Sequence, residues 1–185
     1  LVLAHARTGL DIIVSTGMAT VSEIEQALGV IAFGYLGRQE EPSISVFNEA
    51  YASEEGQKLL REKVTILHCT TEYPASMDEI NLRAMDSMRA AFGLPIGYSD
   101  HSEGIDIPIA AVACGAAVIE KHFTLDKEME GPDHKASLDP AELSTMVRGI
   151  RRVEIALGSG VKVPTRSEMT NKAVARKSLV AGQSI

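Results

Sequence analysis

The sequence has little basic charge, few cysteines and no long apolar run. Its 185 residues carry 18 Lys and Arg against 25 Asp and Glu, so no basic stripe is available for a nucleic-acid partner. Cys69 and Cys114 have neither CxxC nor zinc-site spacing, which is typical of reduced thiols in a cytoplasmic protein. No apolar run reaches the roughly 18 residues of a membrane span, and no signal peptide is recognised. We therefore expect neither a nucleic-acid nor a membrane partner.

The composition that is present predicts one sizeable core. Apolar residues make up 45% of the chain and the formal net charge is −7, which suits a globular domain. The chain opens on Leu1 rather than Met and closes on an apolar run. We expect it to be a segment of a longer protein.

Short apolar runs alternate with helical patterns along the chain. The runs are mostly continuous rather than alternating, which favours strands buried on both faces of a parallel sheet. The predicted strands are 11–15, 64–68, 94–99 and 117–123. The predicted helices are 19–36, 76–93, 105–116 and 139–158.

This order, strand then helix, four times over, predicts an α/β fold with right-handed crossovers. A (β/α)₈ barrel takes about 250 residues, so four units correspond to half of a TIM-type barrel. The alternative, an open four-stranded sheet, leaves two edges to be covered. Segment 37–62 is expected to be a polar insertion with a short helix, and 161–185 a polar linker leaving the domain.

Polar residues follow each predicted strand, where α/β enzymes place their sites. His101 follows the third strand and His122 the fourth. Adjacent parallel strands lie about 5 Å apart, so two imidazoles there can share one divalent cation. The alternative is that both are ordinary hydrogen-bonding residues at strand ends, and that Lys121 is a paired charge in a barrel interior. Spacing alone leaves both open, and also whether the metal is zinc, iron, copper or manganese.

Several long motifs resemble the sialic acid synthase family (N-acetylneuraminate synthases). They cover most of residues 7–30 and 64–180. The motifs are STGMAT (15–20), LHCTTEYPAS (67–76), GLPIGYSDHS (93–102), AVIEKHFTLDKEMEGPDHKASLDP (117–140) and ARKSLVA (175–181).

The resemblance implies a barrel, an activity and an assembly. Residues 1–160 would be the C-terminal half of a (β/α)₈ barrel, and 161–185 the linker to an antifreeze-like domain. Members of the family condense phosphoenolpyruvate with N-acetylmannosamine, or a related N-acetylated sugar, and release phosphate. They require Mn²⁺ or Mg²⁺ and work as homodimers in the cytoplasm.

Residue by residue, the resemblance implies a candidate site. His101 and His122 match the metal ligands, and Ser15 and Ser99 match serines that bind phosphoenolpyruvate. Thr71 stands where some members have an Asn that helps to bind phosphoenolpyruvate. The remaining matches are Tyr73 and Asp133, which line the sugar pocket.

The residue types suit this chemistry. A metal held by neutral imidazoles keeps its charge and can polarise the sugar aldehyde, while Asp133 is expected to orient a sugar hydroxyl rather than to transfer a proton. The sequence GPDHKAS (131–137) indicates the sialic or legionaminic branch over the pseudaminic one. Two other hypotheses stay open: an inactive half-barrel that only oligomerises, and an unrelated metal-dependent aldolase, which would need a Schiff-base lysine or another metal constellation.

Overall fold

A computed structural model describes residues 1–171 and contains a single parallel sheet flanked by helices. The strands are β1 (Ile12–Ser15), β2 (Val64–Cys69), β3 (Ile96–Asp100) and β4 (Ile119–Lys121). The helices are α1 (Val2–Ala6), α2 (Val21–Tyr35), α3 (Ile44–Ala52), α4 (Glu54–Lys63), α5 (Ala84–Phe92), α6 (Asp106–Ala113), α7 (Pro140–Leu157) and α8 (Arg166–Thr170). Within residues 1–171, none of the helices is both long and apolar enough to cross a membrane.

The sheet keeps the strands in chain order, β1-β2-β3-β4, and all pairs are parallel. The four predicted strands and their alternation with helices are confirmed. The last strand is shorter than the predicted 117–123. After Lys121 the backbone pairs elsewhere: the His122 carbonyl accepts from Leu138 N–H and Thr124 N–H donates to the Leu138 carbonyl, both at 2.9 Å.

Helix ends follow local capping chemistry. Thr20 and Glu23 form the capping box that begins α2. Gly93 ends α5 with a left-handed φ of 62°. However, α5 begins at Ala84, eight residues later than the predicted 76. Residues 76–83 form turns instead, with Asn81 at φ 48°.

Segment 37–62 was expected to contain one short helix, but it contains α3 and most of α4. Its apolar residues at helical spacing pack on the core, and Ala50 is fully buried. Phe47 meets Phe33 of α2 edge-on, with ring centroids 5.2 Å apart. Because charged residues lie among these apolar positions, the sequence pattern did not indicate an apolar helix face.

The core lies between the sheet and the helices. It includes Ile66 of β2 and both Ile96 and Tyr98 of β3, all nearly inaccessible to solvent. Side chains alternate along a strand, so the residues between these positions face the opposite side of the sheet. On that side Ile13 of β1 is 59% exposed.

The chain divides into two units, residues 1–155 and 156–185. In the second unit, helix α8 begins with a capping box between Thr165 and Glu168. The rest of the predicted linker from residue 172, including the motif at 175–181, lies outside the described residues.

Candidate functional site

His101 and His122 lie side by side at the carboxyl edge of the sheet. The register pairs Asp100 and Lys121, the last residues of β3 and β4, so each histidine directly follows its strand. The two imidazole rings are 5.5 Å apart between centroids and nearly perpendicular, at 87°. The geometry that the spacing predicted is therefore present.

A backbone contact fixes the tautomer of His101. Its Nδ1 lies within hydrogen-bond distance of the Thr70 carbonyl. A carbonyl can only accept, so Nδ1 carries the hydrogen and the lone pair of the neutral ring is on Nε2. That nitrogen is 2.9 Å from the Tyr73 hydroxyl and 3.4 Å from Ser99 Oγ. His101 thus presents this electron pair to the cluster of polar side chains.

Tyr73 lies against both histidines. Its ring stacks on His101 with centroids 4.0 Å apart and meets His122 edge-on at 5.0 Å. Burial, followed by the charges of Cys69, Asp133 and Glu120, raises the pKa of Tyr73 above its ordinary value of 10.0. The phenol therefore stays protonated at neutral pH and donates to His101 Nε2.

Asp133 lies beside His122 on the loop that follows β4. Its Oδ2 is 4.0 Å from His122 Nδ1, and both side chains are accessible, at 53% and 35%. The Asp133 carbonyl accepts from the N–H and the hydroxyl of Ser137, at 3.0 and 2.7 Å. This turn holds the carboxylate at the rim of the site.

Glu120 belongs to the same cluster, although the sequence reasoning gave it no role. Its Oε1 accepts a 2.6 Å hydrogen bond from the buried Ser99 hydroxyl, and the two residues are partners in the sheet register. The signal was present in the alternation, since Glu120 lies two residues before His122 and so faces the same side of β4. Only the register shows that it meets Ser99.

Ser15 lies at the other end of the same edge, and Thr71 lies on the loop that follows β2. Ser15 is exposed and pairs with Leu67 of β2, so it lies two strands, about 10 Å, from β3. Thr71 packs on the STG turn: a Cβ on Gly17 would lie 2.5 Å from Thr71 Cγ2. The structure therefore places both residues at the carboxyl edge and does not bring Ser15 against the histidines.

Lys121 is a paired charge, as the simpler interpretation held, but the interpretation was wrong in placing it in the barrel interior. Its Nζ lies 2.7 Å from Asp100 Oδ2, and both side chains are buried. By alternation they face the helices, whereas the histidines that follow them face the open side of the sheet.

The residues present fit a divalent cation with two protein nitrogen ligands. Within residues 1–171 there is no group of three or more His, Cys, Asp or Glu arranged to hold a metal ion. Two neutral imidazoles with nearby hydroxyl and carboxylate oxygens suit an ion whose remaining ligands are water and substrate. A separate cavity of about 320 Å³ between the β1–α2 loop and α5 is lined by none of the predicted site residues.

Sheet topology and comparison with a solved structure together define the class. The chain matches the crystal structure of N-acetylneuraminic acid (sialic acid) synthetase from Leptospira borgpetersenii. The match covers 98% of this chain and 54% of that chain. The TM-score is 0.71 and the sequence identity 33%. The fold is α/β, half of a TIM-type barrel, as predicted.

Residues 1–162 match the model of the NeuB family, and the chain belongs to that family. It is 49% identical to the N,N'-diacetyllegionaminic acid synthase of Campylobacter jejuni, over 97% of this chain and 47% of that protein. It is 36% identical to human N-acetylneuraminate-9-phosphate synthase, over 95% of this chain and 42% of that protein. The chain thus spans about half the length of the curated relatives it matches.

Proposed function

We propose that the whole protein carrying this chain condenses phosphoenolpyruvate with an N-acetylated amino sugar, giving a nine-carbon sugar acid and phosphate. The observation that carries the proposal is the His101–His122 pair against Tyr73, on adjacent strand ends. Relatives named as synthases of legionaminic, pseudaminic and N-acetylneuraminic compounds support it. We further propose that the protein acts as a cytoplasmic homodimer.

The two histidines would hold Mn²⁺ or Mg²⁺. His101 offers Nε2, because its Nδ1 is committed to the Thr70 carbonyl. A bound ion would act as a Lewis acid toward the sugar aldehyde. Tyr73 Oη donates to the same Nε2, so its hydroxyl has to turn away when that electron pair is used.

Ser99, Ser15 and Thr71 would bind phosphoenolpyruvate. Ser99 is buried, and its hydroxyl is aimed across the strand pair by Glu120. Ser15 is an exposed hydroxyl two strands away along the same edge, and Thr71 is exposed on the loop that follows β2. Neutral hydroxyls hold an anionic substrate without cancelling its charge, and the spread between them suits a ligand that extends along the edge.

Asp133 and Tyr73 would orient the sugar. Asp133 is half exposed at the rim, within reach of a hydroxyl of a substrate that approaches His122. Once the sugar is held, the enol carbon of phosphoenolpyruvate attacks its aldehyde carbon. Water then adds at the adjacent carbon, and the tetrahedral intermediate expels phosphate.

Two acceptor sugars are candidates. N-acetylmannosamine corresponds to the sialic acid branch, and its 2,4-diacetamido trideoxy relative to the legionaminic branch. The higher identity to the Campylobacter legionaminic synthase, 49% against 36% for the human enzyme, favours the second sugar. The isolated 185-residue chain, by contrast, would be an inactive half-barrel, because only part of the phosphate site is in it.

The experiment is phosphate release by the whole protein with phosphoenolpyruvate and either sugar, with Mn²⁺ and with a chelator. We expect turnover that depends on the metal and is lost in His101→Ala. His5→Ala is the matched control, because His5 is exposed on α1, away from the sheet edge. Activity of His101→Ala equal to that of the wild type would remove His101 from the site, and no turnover with either sugar would refute the proposal.

A further inference from the structure

A buried ion pair lies directly beneath the two histidines. Lys121 Nζ is 2.7 Å from Asp100 Oδ2, and the side chains are 4% and 0% exposed. The sheet register pairs these two residues across β3 and β4. The pair therefore joins the last residues of β3 and β4, which His101 and His122 directly follow.

Ser102 closes the pair into a network. Its N–H and its hydroxyl both donate to Asp100 Oδ1, at 2.9 and 2.7 Å, and Lys121 Nζ also contacts the Ser102 carbonyl. Asp100 and Ser102 flank His101 on either side in the chain. The backbone of His101 is thus tied, from both neighbours, to the residue that precedes His122.

This network leaves little freedom for the separation of the two rings. The remaining backbone contacts act in the same direction, because the His101 carbonyl accepts from Ala75 N–H and the His122 carbonyl from Leu138 N–H, each at 2.9 Å. A metal held by only two protein ligands depends on their spacing. Groups that hydrogen-bond to metal ligands and orient them are worth about 10- to 100-fold in metal affinity, which sets the scale for residues that fix the ligand backbones.

A buried ion pair is a poor way to gain stability alone, because apolar residues of similar volume are often equally stabilising. What an ion pair adds is a fixed geometry: the Asp100–Lys121 pair holds the backbones of β3 and β4 in one register. We propose that Asp100, Lys121 and Ser102 are positioning residues that set the His101–His122 spacing for a divalent cation. The inference rests on the proposed function, and it adds residues that face away from the site.

The test is Mn²⁺ affinity of the whole protein, measured from the free-ion electron paramagnetic resonance signal, for the double variant Asp100→Asn/Lys121→Met. Asn still accepts the hydrogen bonds from Ser102. Met occupies the space of the aliphatic part of Lys121 and leaves no unpaired charge. We expect the Kd for Mn²⁺ to rise about 10- to 100-fold. The control is Lys127→Met/Glu142→Gln, which removes a more accessible ion pair at 2.6 Å and is expected to leave the Kd within about twofold.

The outcomes separate the two proposals. A wild-type protein that does not bind Mn²⁺ refutes the proposed metal site, and the positioning role with it. A wild-type protein that binds, with a double variant that binds within twofold, overturns the positioning role alone, even if the unfolding midpoint falls. Should the double variant not fold, Ser102→Ala removes only one hydroxyl of the network, and an unchanged Kd in that variant overturns the proposal equally.

Discussion

The Gly97→Ala substitution tests the packing that aligns β3 with its neighbours. A Cβ at Gly97 would lie 2.5 Å from Leu67 Cδ2 of β2, 2.6 Å from the Val118 carbonyl oxygen and 3.0 Å from Val118 Cβ. That carbonyl accepts the 2.8 Å hydrogen bond from Tyr98 N–H. The leucine methyl can rotate away, but the carbonyl belongs to the β3–β4 ladder and moves only if the ladder opens.

The size of the effect follows from these contacts. Forcing one extra carbon into a close-packed site costs about 1–3 kcal/mol, and a backbone obstacle favours the upper part of that range. We expect a loss of about 2–3 kcal/mol in the free energy of unfolding. For a chain of this length this corresponds to a midpoint about 4–12 °C lower.

Gly149→Ala in α7 is the matched control, because the same added carbon meets only a movable side-chain end. Its Cβ would lie 2.6 Å from Ile109 Cδ1, which can change rotamer. Replacing a helical glycine gains about 0.5–1 kcal/mol, so we expect an unchanged or higher midpoint. Thermal and urea unfolding of both variants measure this. A Gly97→Ala protein within about 0.5 kcal/mol of the wild type would refute the packing argument.

Three other predictions rest on contacts elsewhere in the described part of the chain. Tyr73→Phe keeps the ring on His101 but removes the donor from Nε2, so Mn²⁺ should bind as tightly as in the wild type or up to about tenfold tighter; a large loss on titration would make the hydroxyl itself a ligand. Two hydrogen bonds lower the pKa of Glu142 below its ordinary value of 4.5: the larger effect comes from Lys127 and the smaller from the Asp139 N–H. Ionised Glu142 therefore stabilises the fold above pH 4.5, and this stabilisation is lost as the pH falls through its lowered pKa. Glu142→Gln should make the unfolding midpoint less dependent on pH at acid pH, and an unchanged dependence would contradict this. The 185-residue chain alone should self-associate through its open sheet, where Ile13 is 59% exposed, and a monodisperse monomer in light scattering would count against it.

The sequence predicts the order of the fold because its signals are local. Buried strands are continuous apolar runs, and the helix ends at Thr20 and Gly93 are marked by their own capping residues. The adjacency of His101 and His122 follows from this order, since consecutive parallel strands in a βα unit lie side by side.

Other features depend on contacts between distant residues and were therefore not predicted. The Ser99–Glu120 hydrogen bond joins residues 21 positions apart and requires the register of two strands. The Asp100–Lys121 pair has the same separation, and nothing local shows that both side chains point to the helices. Segment 37–62 was expected to hold one short helix, and the apolar face of α3, which includes Phe47 and Ala50, is recognisable only against α2.

The start of α5 shows local chemistry prevailing over periodicity. Apolar residues from Ile80 to Phe92 at helical spacing predicted a helix from 76, and the structure buries Ile80 and Met85. The Ser76 hydroxyl bonds to Asp78, and Asn81 takes a left-handed conformation, so the chain turns before the helix begins. Ser, Asp and Asn side chains compete with helical hydrogen bonds in this way.

The central claim is that His101 and His122 together hold a divalent cation. The direct measurement is calorimetric titration of the whole protein with Mn²⁺, with and without phosphoenolpyruvate, for the wild type, His5→Ala and His101→Ala/His122→Ala. We predict binding to the wild type and to His5→Ala, and none to the double variant with its fold retained by circular dichroism. Equal binding by the double variant would contradict the account.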